Sequence, residues 1–401
     1  MISKKELIHG LKNVKLVIGN GFDLHCGLKS KYSDYFLYYK AKYEYIKKWI
    51  LSFGSEIIAN RFIGKPFYEL GGTFERFNEV NVWDVIFEIL SDEENIDVRW
   101  CDIESAMINC LTDSMVDRTQ VSHQKVNLLD VYNTIQDTDI NIDETTPNFL
   151  ALVAFIFKKR DFKEFVDETE YYEFLLNELR KFEINFGKYI KRQHDYFDHF
   201  INHHNSNYDY KAVETIKLLC NVDNLISIDS FNYGVFSDEK LDALLRNVNG
   251  NLNMPIFGID TTRFKSSDAR SIFSKTNRRM ELDMLVNSAY EQKEFDNVVV
   301  FGHSLSRNDY SYFYPLLDKL NMTDFSATNK IVFAFSVFDE KKSYAIKTEH
   351  RKAINQLFTS YAKYKGFKEE PERLLDALTT QGRILTYEIP SITNDGKYFW
   401  D

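Results

Sequence analysis

Three short stretches of this chain hold residues able to do chemistry. The first is Gly19-Asn20-Gly21-Phe22-Asp23, which closes the apolar run Leu16-Val17-Ile18. Glycines turn the chain without a Cβ and can aim backbone N–H groups at a phosphate or diphosphate. Gly27 comes too late to be the third glycine of a G-x-G-x-x-G fingerprint, so the stretch reads equally as a nucleotide loop or as a tight turn that starts a helix. Asp23 would repel a phosphate; it suits a ribose hydroxyl, a bound water or metal, or an Asx turn. The second stretch is Ser230-Phe231-Asn232-Tyr233, where the Asn232 amide could hold a ribose hydroxyl, position a water or cap the following turn. The third runs from Gly302 through His303, Ser304, Leu305, Ser306, Arg307 and Asn308 to Asp309. Gly302 permits close backbone approach, and His303 is either an acid or base near neutral pH or a loop-locking hydrogen bonder. Asp309 could cap a helix over residues 310–320 or accept ribose hydroxyls.

Other chemistries find less support. His194, His199 and His203 fall within ten residues, but their segment reads as a helix end fading into a polar loop, so no metal site is expected. There is no H-E-x-x-H, no P-loop lysine motif and no G-x-S-x-G elbow, since Ser306 stands where the last glycine would be. Cys26, Cys101, Cys110 and Cys220 form no C-x-x-C pair and read as reduced, buried thiols.

The elements that must position these stretches are short apolar runs at 13–18, 224–228, 297–301, 330–335 and 383–387, the pattern of buried parallel strands. About two hundred residues separate the first from the second, far more than a crossover needs, so a helical insertion is expected there. Aromatic and aliphatic residues at helical spacing mark 35–51, 81–90, 149–172 and 174–201 within it, while 111–146 is polar and reads as a peripheral loop or frayed helix. A helix near Ser30 to Ser33 could direct its positive end at the first loop, and 341–362 reads as a surface helix before the last strand. The expected fold is α/β, a Rossmann-like parallel sheet built from 1–40 and 221–401, interrupted by a mainly helical insertion over 41–220.

The chain has 401 residues, 50 Lys and Arg against 60 Asp and Glu, and a formal net charge of −10. That balance repels polyanions, so a nucleic-acid partner would need a local basic groove, and Lys158-Lys159-Arg160 or Arg278-Arg279 is too short to make one. No signal-peptide pattern is visible, and the longest apolar run, 149–157, is about half a membrane span. A cytoplasmic protein with no membrane partner is expected.

Taken together, LVIGNGFDLHCGLKSKYSDYF at 16–36, WCDIE at 100–104, Phe182-Glu183, SFNY at 230–233, IFGID at 256–260, FSKT at 273–276 and FGHSLSRNDYSYF at 301–313 resemble the AbiH family of phage abortive-infection proteins. The resemblance implies an antiphage role in which an infected cell is arrested or killed, with a phage-derived trigger and self-association as the partners such a role brings. The GNGFD, SFNY and GHSL motifs also resemble, distantly, those of sirtuin-like NAD-binding domains, some of which hydrolyse NAD in defence systems. That likeness implies a sirtuin-like sheet with NAD or a related nucleotide as ligand or substrate. It puts Gly19, Asn20, Gly21 and Phe22 around the diphosphate, Asn232 at the nicotinamide ribose, and Gly302, Ser304 and Asp309 toward the adenosine end, with Tyr233 a further cofactor-binding residue. The family resemblance leads one to expect a histidine near 249, where this chain has Asn249. Asparagine cannot take a proton at neutral pH, so the base would be His303, His25 or Asp23, or the nucleotide is bound without hydrolysis. An RNA-targeting nuclease using His303, Arg307 and Lys275 or Arg278 is the rival expectation.

Overall fold

The computed structural model describes residues 3–60, 77–91, 103–112, 127–136, 147–200, 208–234, 243–281, 294–337, 339–367 and 370–390. They fall into two compact units. The first comprises Met1–Ser30, Gly187–Pro255 and Arg279–Asp401; the second comprises Lys31–Phe186 and Ile256–Arg278.

The first unit is built on a six-stranded, wholly parallel sheet of β1 (Val14–Ile18), β2 (Leu225–Ser230), β3 (Leu244–Asn247), β6 (Asn297–Phe301), β7 (Lys330–Ser336) and β8 (Ile384–Ile389). Two further short strands, β4 (Gly250–Asn251) and β5 (Met254–Pro255), form a separate antiparallel pair. The sheet order is β3-β2-β1-β6-β7-β8. Taken in chain order these strands run 3-2-1-4-5-6, the doubly wound Rossmann-like arrangement, and the direction of winding reverses between β1 and β6. Every residue of β1 is buried, as are four of the five in β6, because both faces of the central strands are covered. Helices Tyr310–Lys319, Ser343–Tyr364 and Glu372–Thr380 contribute Phe313, Leu317, Leu357, Phe358, Tyr361 and Leu378 to a core shared with Val298, Val300 and Phe333 of the sheet.

Register decides where the loops fall. Ile18 is level with Ser230 on one side and Phe301 on the other, so β1, β2 and β6 release their following loops at one edge.

Five strands lie where the apolar runs predict them. The sixth, β3, is Leu-Leu-Arg-Asn, half-buried at the sheet margin, and too short and polar to register as such a run. The helix expected near Ser30 exists as Tyr32–Tyr38 in the second unit, but the helix directly after β1 is Asn20–His25. Gly19 caps it in an extended conformation (φ −126°), so the glycine-rich stretch is itself a helical first turn.

The second unit is helical, with Lys40–Asn60, Val82–Ser91, Ile103–Leu111, Leu128–Gln136, Pro147–Lys159 and residues 168–186 of helix Glu168–Phe200. Tyr35, Phe36, Phe87, Phe182 and Phe257 meet edge-on or tilted in its core, the favoured geometry of aromatic clusters. Two stretches expected as single helices are divided. One breaks at Tyr39, the other between Lys159 and Glu168, where Asp161 and Phe162 take φ of 51° and 60°. Within the polar segment 111–146, Leu128–Gln136 forms a helix; 113–126 and 137–146 lie outside the described residues, as does Cys101. Among the described residues no helix is long and apolar enough to cross a membrane.

Candidate functional site

The loops after β1 and β6 meet backbone to backbone. Gly19 N–H donates to the Phe301 carbonyl at 3.1 Å and Gly21 N–H to the Gly302 carbonyl at 2.7 Å. Gly302 sits at φ +68°, and a Cβ on Gly21 would come within 2.7 Å of Gly302 Cα, so only glycine fits at the contact. The N–H groups of Gly19 and Gly21 are therefore taken by carbonyls. Phe22 is fully buried beneath them, whereas Asn20 and Ser304 face solvent, Asn20 through a side chain whose Oδ1 accepts from Ser30 Oγ.

The loop after β2 reaches the same place. Asn232 Nδ2 donates to the Gly19 carbonyl at 3.0 Å and to Asp23 Oδ1 at 2.8 Å. Asp23 Oδ1 also accepts the Tyr208 hydroxyl at 2.6 Å. Asp23 is 2% exposed, and burial pushes its carboxyl up to about 7, against the opposing pull of the Tyr208 and Asn232 hydrogen bonds. Tyr233, next along, is half-buried.

His303 is held on both sides. Its Nδ1 accepts the Leu305 N–H at 2.9 Å, which places the ring proton on Nε2, 3.5 Å from Asp309 Oδ2. Phe231 and Phe313 meet the ring edge-on at 4.3 and 5.1 Å. Asp309 makes no side-chain cap to the helix it precedes; its carboxylate lies 3.7 Å from Arg279, which donates to Asn249 Oδ1 at 3.0 Å. His25 lies 3.3 Å from Ser336 Oγ through Nδ1, and burial, with Lys211 nearby, lowers its pKa to about 4. Burial thus moves Asp23 toward neutral pH and His25 away from it.

Beneath this edge Asp229 of β2 accepts from Lys15 of β1, Arg246 of β3 and Tyr312, a buried cross-strand network that ties the three strands together.

Other motif residues gather in the second unit. Glu183 accepts the Phe257 N–H and the Arg278 guanidinium, both at 2.7 Å, and Glu104 pairs with Lys275 at 2.8 Å. Lys275 and Arg278 are each 1% exposed and each faces a carboxylate. His194 packs edge-on against the Tyr208 ring, while the side chains of His199 and His203 lie outside the described residues. Among those residues no group of three or more His, Cys, Asp or Glu could hold a metal ion. Sequence reasoning missed Tyr208, which belongs to no motif and opens a helix after a polar stretch.

A doubly wound α/β sheet whose three motif loops meet at its strand-order reversal defines a Rossmann-like protein with its candidate site at the carboxyl edge. Residues 16–331 match the family described as bacteriophage abortive infection AbiH, and the chain belongs to that family. Its general role is abortive infection. No curated protein and no solved structure gives a significant match.

Proposed function

We propose that this AbiH protein acts on a nucleotide held where the strand order reverses, and that it hydrolyses the N-glycosidic bond of NAD. One observation carries the reading: a buried aspartate with proton affinity near neutrality, bonded to Asn232, at the edge where open parallel sheets take ligands. The diphosphate lies over Asn20 and Ser304, the exposed residues of the two glycine loops, and Asn232 and Tyr233 face the nicotinamide ribose. Water attacks C1′ as the bond from C1′ to the nicotinamide nitrogen breaks. The electron pair leaves on nicotinamide, the water's proton goes to Asp23, and ADP-ribose is released. Asn232 keeps the acceptor in place, and the surrounding dipoles stabilise the cationic ribosyl transition state.

A second reading, a nucleotide sensor without turnover, is favoured by the engagement of both His303 nitrogens and by Asn249 being held by Arg279. The test is nicotinamide release by purified wild-type protein and by Asn232→Ala, with NAD binding and RNA integrity followed in parallel. Release by wild type alone supports hydrolysis, and its kcat/KM should rise with pH through about 7 as Asp23 loses its proton. Saturable NAD binding without release supports the sensor. Neither binding nor release overturns both, and RNA breakage at constant NAD points to a nuclease.

A further inference from the structure

Tyr208 opens the helix Tyr208–Leu219 and places its hydroxyl on Asp23 Oδ1, the oxygen that also takes the Asn232 amide. Two donors occupy the lone-pair directions of Oδ1, so a proton on this carboxyl resides on Oδ2. Burial and the neighbouring Asp23 charge hold the phenol well above its usual pKa, so the hydroxyl donates and does not relay protons. The ring is braced. His194 meets it edge-on at 4.6 Å and 84°, in space that a Cβ on Gly234 would invade. Among the described residues, further titratable groups around the pair are Cys26, whose thiol burial and Asp23 push up, and Asp209 and Lys211 on the helix of Tyr208.

We propose that Tyr208 is a positioning residue of this site: its hydroxyl, braced by His194, fixes the proton of Asp23 on Oδ2. The inference deepens the reading of Asp23 as proton acceptor and rests on it for its part in catalysis, but it is tested without substrate. The readout is the carboxyl 13C resonance of Asp23 against pH, assigned by its loss in Asp23→Asn. Tyr208→Phe removes a donor that favours the carboxylate, so the midpoint moves from near 7 upward by about one pH unit. Replacing Tyr208 with 3-fluorotyrosine keeps the ring's shape and strengthens the donor, so the midpoint moves down. The fluorinated protein decides the question if Tyr208→Phe does not fold. Any nicotinamide release follows the same shifts along the pH axis. A midpoint unmoved by fluorination overturns the proposal and leaves Tyr208 a packing residue. A moved midpoint in a protein that releases no nicotinamide upholds the positioning and overturns NAD hydrolysis, so the two failures are separable.

Discussion

Asn232 Nδ2 lies 2.8 Å from Asp23 Oδ1, joining positions 209 residues apart, and the same nitrogen reaches the Gly19 carbonyl. One amide therefore fastens the loop after β2 to the loop and helix after β1. The amide suits both acceptors as a second donor, since the Gly19 carbonyl already takes the Phe22 N–H at 2.8 Å and Asp23 Oδ1 the Tyr208 hydroxyl at 2.6 Å.

Replacing that amide should cost stability before any ligand is considered. Asn232→Ala removes two buried hydrogen bonds while each acceptor keeps one other donor, and we expect a loss of about 1–3 kcal/mol in urea unfolding. Asn232→Asp should cost more above pH 7, where a second carboxylate would face Asp23.

Asp23 makes stability depend on pH in the direction opposite to most aspartates. Its folded-state pKa of about 7 lies above the unfolded value of 3.8, so between these the folded chain binds more protons than the unfolded one. Stability contributed by the protonated carboxyl is complete below the unfolded value and is lost as pH rises through the folded one. In Asp23→Asn the amide oxygen still accepts from Tyr208 and Asn232, and the charge is gone. The variant should equal wild type near pH 4 and exceed it above pH 7, by of order 4 kcal/mol at most. Thermal unfolding of both proteins between pH 4 and 8 reads the difference directly.

The contact between the glycine loops tolerates no side chain. Gly302→Ala adds a Cβ at φ +68° against the Gly21 and Phe22 backbone, and should destabilise by more than about 2 kcal/mol. An alanine variant with an unchanged unfolding midpoint would show that the loops can separate at little cost.

In the second unit, Arg278→Met should destabilise by about 3–5 kcal/mol because it removes the guanidinium that faces the buried Glu183 carboxylate at 2.7 Å. Adding Glu183→Leu should recover much of that loss in the double variant, although the Phe257 N–H then loses its Glu183 acceptor. A double variant no more stable than the single one would mean that the backbone contact, not the ion pair, dominates.

Much of the sheet was legible because each central strand is a short apolar run ended by glycine or serine, and parallel register then brings the ends level. The meeting of Gly19, Asn232 and Gly302 follows from that register, since Ile18, Ser230 and Phe301 share one row. What the glycines do there was not legible. Freedom from a Cβ serves a phosphate and a neighbouring backbone equally, and only the fold shows Gly21 N–H on the Gly302 carbonyl. Tyr208 was hidden because its partner is 185 residues away and nothing local marks a phenol that will be buried. The pairing of Glu183 with Arg278 was hidden for the same reason, since a charge run and a lone Phe-Glu pair each look like solvated surface.

The helical unit is assembled from two separate stretches, with 256–278 supplying the cations that Glu104 and Glu183 require. A polypeptide terminated early, anywhere ahead of Lys275, would therefore lack the last three sheet strands and the two cations paired with Glu104 and Glu183. Such a chain should be cleaved by added protease faster than the full-length protein, because Glu104 and Glu183 would lack their Lys275 and Arg278 partners.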